Sequence, residues 1–185
     1  MNTLSLITLN LHCLEEKNIQ KNQDIIVNEI IERNADVVFL QEVAQYADRP
    51  VIGKLIKESN YGYELFEILK MKGIHYFYEY HPIKSSFNKY DEGLGILSKH
   101  PMGSVEAKHI SNSKDYQNWK SRKYLKSTIK PFDKNIDLYT VHLGWDSSEE
   151  SYLAQCEILA DAMTNVPSIV GGDFNVACGT DYYQK

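Results

Sequence analysis

The sequence predicts a mixed α/β sandwich, with helices outside and largely antiparallel sheets inside. Three observations carry this reading. Residues 4–43 run apolar strand, amphipathic helix, apolar strand, the spacing of a βαβ-like unit. The middle of the chain is a succession of β-forming stretches separated by polar turns. A last helical pattern then leads into a final apolar strand. No repeat, linker or low-complexity segment divides the 185 residues, so 1–185 reads as one domain.

The elements follow in order. "LSLITLNLH" is mostly apolar with no Gly or Pro, as a buried strand requires. "IQKNQDIIVNEIIERN" places Ile26 with Ile30, and Val27 with Ile31, four residues apart on one helix face. "ADVVFLQEV" is a second short buried strand that Gln41 and Glu42 cap. After Pro50 a short helix is expected. "HYFYEYHP" alternates Tyr76, Tyr78 and Tyr80 on one strand face, read as core or sheet-edge aromatics. "EGLGILSKHP" is a strand closed by Pro101. "SRKYLKSTIKPF" and "NIDLYTVHLGW" are strands joined by a polar turn at 133–135, which puts Arg122 on the strand before that of His142. "SSEESYLAQCEILADAMTN" opens with N-cap chemistry and carries Leu153, Cys156, Leu159 and Ala160 at helical spacing. "PSIVGGDFN" is the last strand.

Composition limits the function classes. Apolar residues at 43% and charged residues at 24% fit a soluble globular chain. A net charge of -5 gives no general attraction to nucleic acid or anionic lipid, though it leaves room for a local basic pocket. Three cysteines at positions 13, 156 and 178 make an odd set without metal spacing, so reduced thiols and a cytoplasmic location are expected. The N-terminus lacks a basic n-region and reads as a strand, and no segment is long and apolar enough to span a membrane.

Four strands finish on polar groups: Asn10, Glu42, His142, and Asp173 with Asn175. Taken singly, each has an ordinary explanation: backbone satisfaction, solvation, a structural histidine, turn chemistry. If the strands lie side by side, their rigid ends converge on one acidic, amide-lined pocket.

"TLNLH", "FLQEV", "EGLGILSKHP", "YTVHLGW" and "GGDFN", in this order, resemble the endonuclease/exonuclease/phosphatase superfamily. That group includes pancreatic deoxyribonuclease, abasic-site endonucleases, neutral sphingomyelinases and inositol polyphosphate phosphatases. "NWKSRKYLKSTI" together with "HLGW" is most similar to a bacterial branch of sugar-phosphate phosphatases such as maltose 6'-phosphate phosphatase. The resemblance implies a four-layer α/β sandwich of deoxyribonuclease-like type, its mostly antiparallel sheets flanked by helices. It also implies phosphoester hydrolysis with Mg²⁺ or Mn²⁺. Glu42 would be the main metal ligand, with Asn10 beside it contacting metal or phosphate. Asp173 would orient the attacking water, Asn175 and His142 would donate to the phosphoryl oxygens, and Glu92 would be structural near the pocket. Arg122 would bind phosphate or else form a surface ion pair. Trp145 would stack on a sugar ring or pack. His12 would reach only the rim.

The family pattern also includes a Ser-Asp-His stretch well beyond "GGDFN", which this sequence lacks. The resemblance therefore implies a domain without its C-terminal third, marginally stable and nearly inactive alone, that a second chain supplying the missing strands would complete. The expected activity of the parent is that of a phosphomonoesterase on a small phosphorylated metabolite such as a sugar phosphate. One alternative is a phosphodiesterase on nucleic acid or sphingomyelin, using the basic stretch "KDYQNWKSRKYLK", which reads more readily as a solvated strand edge. The other is an inactive fragment or binding module.

Overall fold

The computed structural model describes residues 3–163 and 166–183. β1 (Leu6–Asn10) pairs in parallel with β2 (Val37–Tyr46), from Leu6 opposite Val37 to Asn10 opposite Gln41. The crossover is α1 (Ile19–Glu32), which buries Val27 and Ile30 and leaves Ile26 and Ile31 partly buried at the edges of its stripe. This is the βαβ unit that the periodicity predicts.

β2 does not stop at Glu42. It continues to Tyr46, and its register against β6 (Tyr90–Ser98) shifts between Leu40 and Val43. Glu42 sits in that bulge with φ 50°, so a kink inside a long strand presents it, not a strand end. The helix expected directly after Pro50 begins later. A small hairpin, β3 (Val51–Gly53) with β4 (Ile56–Lys57), comes first, and α2 (Tyr61–Met71) follows, capped where Asn60 Oδ1 accepts from Tyr63 N.

β5 (Phe77–Ser86), β7 (Val105–His109), β8 (Lys123–Ile129), β9 (Ile136–His142), α3 (Tyr152–Ala162) and β10 (Ser168–Asp173) complete the chain. Arg122 therefore lies just before β8 and not on it. Of the expected helix over 147–165, Thr164 and Asn165 lie outside the described residues.

Two four-stranded sheets result, in the orders β1-β2-β6-β5 and β10-β9-β8-β7. Pairing is antiparallel except at β1–β2 and β9–β10. Alternation along β2 decides the layering. Val37 and Phe39 point into the core between the sheets, against Leu94, Ile96, Leu125 and Leu138. Val38 and Leu40 point the other way, against Val27, Ile30, Leu65 and Leu69 of α1 and α2. A strand covered on both faces must be apolar at every position, which is why "VVFL" shows no alternation. On the far side, Tyr139 and Val141 pack with Tyr152 and Leu159 of α3. Helices, sheet, sheet and helix make the four layers.

The two parallel pairs determine where chemistry can gather. In a parallel pair both strands finish at the same end of the sheet. Asn10 pairs with Gln41 in one sheet, and Asp173 with His142 in the other. β1 and β10 lie against each other, so the ends of β1, β9 and β10 and the bulge of β2 share one rim.

Candidate active site

Asn10 is the centre of the rim. Its Nδ2 donates to Glu42 Oε1 at 2.8 Å and to Asp173 Oδ2 at 3.0 Å, joining residues 163 apart in sequence. Its Oδ1 accepts from His12 N at 2.9 Å. One amide thus holds two carboxylates close together, an arrangement that carboxylate repulsion alone would open.

Asp173 follows Gly172, whose φ of 150° and tight backbone admit no side chain: a Cβ there would fall on the Val141 carbonyl. Burial would raise the Asp173 carboxyl. The hydrogen bonds from the Asn10 amide and the Asn175 backbone N–H, with His142 and Arg122 nearby, outweigh it and hold the pKa below its ordinary value. Asp173 is an anion at neutral pH. Asn175, at φ 50°, sends Nδ2 to Leu143 O at 2.7 Å, which spends one of its two amide hydrogens.

His142 is buried, with Nε2 4.0 Å from both Glu42 Oε1 and Asp173 Oδ2. Burial and then Arg122 lower its pKa, against the pull of Glu42, Glu92 and Asp173. Its ring is held neutral, a donor on one nitrogen.

Arg122 is not a surface residue. It is 4% exposed, and its Nη1 donates to Trp119 O at 2.7 Å and Ser121 O at 3.0 Å. Among the described residues its Nε has no partner. It lines a cavity of about 460 Å³ with Glu42, Lys84, Glu92 and His142. Trp145 is 63% exposed at the mouth and not packed in a core. Asn10 and Asp173 open on the other side of the rim, into a cleft of about 750 Å³ that Trp145 and Asn175 also line. His12 points away and pairs with Glu16 at 2.7 Å.

Some residues of the site escape a reading of the sequence. Lys84 pairs with Glu92 at 3.1 Å across neighbouring strands, where the two are in register. The Ser86 hydroxyl also donates to Glu92. Burial pushes the Glu92 carboxyl up, but Lys84 and Ser86 more than offset this and it stays ionised. Cys13 Sγ lies 3.6 Å from both Glu42 and Glu92, and burial between these carboxylates drives its thiol pKa far upward. Gln41 bridges the sheets through Nε2 to Thr140 Oγ1 at 3.0 Å. The signal for Lys84 and Cys13 is register and loop geometry, neither of which periodicity reveals.

The residues present suit a hard divalent cation. Among the described residues no three or more His, Cys, Asp or Glu side chains form a group that could hold a metal ion by themselves. Mg²⁺ does not need one: it takes one or two carboxylates and keeps waters and substrate oxygens. Glu42 and, across from it, Asp173 offer carboxylate oxygens of that kind, while the Asn10 Nδ2 between them donates to both and its Oδ1 accepts from His12 N.

The sequence profile of the Endonuclease/Exonuclease/phosphatase family matches residues 7–150. A search of curated proteins finds no match. Among solved structures, an endonuclease/exonuclease/phosphatase family protein from Leptotrichia buccalis C-1013-b superposes with a TM-score of 0.93 at 24% identity, covering 98% of this chain and 70% of its own. A mannosyl-6-phosphatase from Bacteroides thetaiotaomicron VPI-5482 superposes with a TM-score of 0.67 at 14% identity, covering 98% and 69%. D. rerio TDP2 complexed with single strand DNA product gives 0.62 at 18%, covering 94% and 61%. At these identities the likeness is one of fold. The chain spans between 61% and 70% of the length of these three proteins.

Proposed function

Because the chain belongs to the endonuclease/exonuclease/phosphatase family, we propose that its site serves divalent-metal-dependent hydrolysis of a small phosphomonoester such as a sugar phosphate. The observation that carries this is Asn10 holding Glu42 and Asp173 together beside His142 and a buried Arg122.

Glu42, its carboxylate oriented by the Asn10 amide, would hold Mg²⁺ or Mn²⁺. Such an ion supplies polarisation of the phosphoryl group and stabilisation of the leaving oxygen. Asp173, kept anionic by Asn10 and the Asn175 N–H, orients the attacking water and accepts its proton. His142, neutral, donates to a non-bridging phosphoryl oxygen. Asn175 offers its second amide hydrogen to the same group as charge builds there. Arg122 brings a guanidinium with an unpartnered Nε to the cavity wall, and buried positive charge favours a dianionic monoester.

Support for a monoester over a polymer comes from the basic stretch. Lys120 is committed to Glu149 at 2.6 Å and Lys126 to Asp137 at 2.8 Å, while Arg122 is buried. Three of the five basic residues of the stretch are thus paired or buried, which leaves exposed Lys114 and half-buried Lys123 for a phosphate backbone. The mannosyl-6-phosphatase among the neighbours is consistent with this reading. Phosphate release by the parent protein from a panel of sugar phosphates, with Mg²⁺ and with chelator, tests it. Metal-dependent release from monoesters is expected. Nicking of plasmid DNA without monoester hydrolysis would replace the reading with a nuclease.

A further inference from the structure

We infer that a second cavity, walled by Trp119 and Trp145 and adjoining the phosphate site along Arg122, seats a single sugar ring as the leaving group of the substrate. This rests on the phosphomonoesterase reading and adds the part of the substrate that is not phosphate.

The cavity holds about 200 Å³, with Trp119, Lys120, Arg122, Trp145, Ser147 and Glu150 around it. The chain has two tryptophans, and both stand here, 59% and 63% exposed. Indole surface left open to water at one spot costs stability, and an apolar-faced ligand recovers it. Arg122, Trp119 and Trp145 line both this cavity and the one containing Glu42 and His142, so the two adjoin. One guanidinium therefore stands where a phosphate and the group esterified to it would meet.

The walls are built rather than incidental. Trp119 belongs to the β7–β8 loop and Trp145 to the β9–α3 loop. Glu150, 5% exposed, ties these loops by accepting from Asn112 N at 2.9 Å and Ser113 N at 2.7 Å. Asn112 Nδ2 donates to Glu149 O at 3.0 Å, and Lys120 bridges to Glu149 at 2.6 Å. Lys120 Nζ also lies 5.5 Å over the Trp119 ring. Four contacts between the two loops tie them together, which spares part of the ordering entropy that a mobile clamp would spend on binding.

The chemistry favours a sugar over a nucleotide chain. A pyranose offers C–H faces to indoles and hydroxyls to donors and acceptors, here Lys120, Ser147 and Glu150. Single-stranded nucleic acid needs successive stacking platforms along a positive groove. Here there is room for one ring, with the cations Lys120 and Arg122 and the carboxylate Glu150 around it.

Tryptophan fluorescence of the full chain reads binding in this cavity and in the adjoining phosphate site, since both fluorophores line both, so the comparison of probes and not the signal alone decides. The probe is glucose 6-phosphate, compared with orthophosphate and adenosine 5'-monophosphate. A saturable signal is expected for glucose 6-phosphate, with at least tenfold weaker binding of the other two. Trp145→Ala, at an exposed position, should weaken glucose 6-phosphate at least tenfold, read by calorimetry, with an unchanged melting curve. No response to glucose 6-phosphate, equal affinity for orthophosphate or the nucleotide, or wild-type affinity in Trp145→Ala would each overturn the proposal. A separate assay of the parent protein for metal-dependent release from p-nitrophenyl phosphate, which has no sugar, distinguishes failure of this inference from failure of the phosphoesterase reading.

Discussion

At the scale of single residues the site depends on Asn10, because its one amide nitrogen faces both Glu42 and Asp173. Asn10→Ala leaves two carboxylates facing each other without a donor between them. We expect Mg²⁺ affinity, measured by calorimetry, to fall about 10–100-fold, the usual cost of removing a group that orients a ligand. Gly172→Ala tests the backbone beneath Asp173. Its Cβ would meet the Val141 carbonyl in a conformation that side-chain-bearing residues avoid, so urea melts should show a loss of at least ~2 kcal/mol. The residue types at the strand ends made Asn10, Asp173, Asn175 and His142 visible in the sequence. Arg122 was visible as a cation, but its burial was not: the sequence around it is polar and gives no sign that the loop folds over it.

At the scale of elements the instructive case is β2. An apolar run ending in Gln-Glu reads as a strand with a polar cap. The strand instead bulges at 41–42, sends Gln41 across to Thr140, and continues to Tyr46. A bulge has no composition signature, so Glu42 was found for a partly mistaken reason. β3, β4 and β7 were missed because they are short and exposed. Val51, Ile52 and Val105 face solvent and show no alternation with a buried set. The small hairpin is held by Lys57, 2.7 Å from Asp91 of β6, which also accepts from Tyr116 at 2.6 Å and Gln45 at 3.4 Å. Burial alone would raise the Asp91 carboxyl; Lys57, Tyr116 and Gln45 overcome this and hold it below its ordinary value. A folded pKa below the unfolded one contributes stability above the unfolded value, about 3.9, that is lost as pH falls through the folded one. Stability measured by urea melts should therefore drop more steeply below about pH 4 in the wild type than in Asp91→Asn.

For the whole molecule, two sheets must stay face to face for β1, β2, β9 and β10 to bring their ends together. Phe39, fully buried between the sheets, is part of what keeps them so. Phe39→Ala should cost about 3–5 kcal/mol, read from denaturant melts. The sandwich was legible because strand and helix periods are written in apolar residues. The pairing partners were not, since register is a property of two strands at once. The most direct measurement of the central claim is Mn²⁺ bound per chain, by electron paramagnetic resonance, in wild type and Glu42→Gln. We predict one Mn²⁺ per chain in the wild type, displaced by Mg²⁺, and its loss in a Glu42→Gln chain that still melts like wild type. No bound Mn²⁺ in the folded wild type, or undiminished binding in Glu42→Gln, would contradict it.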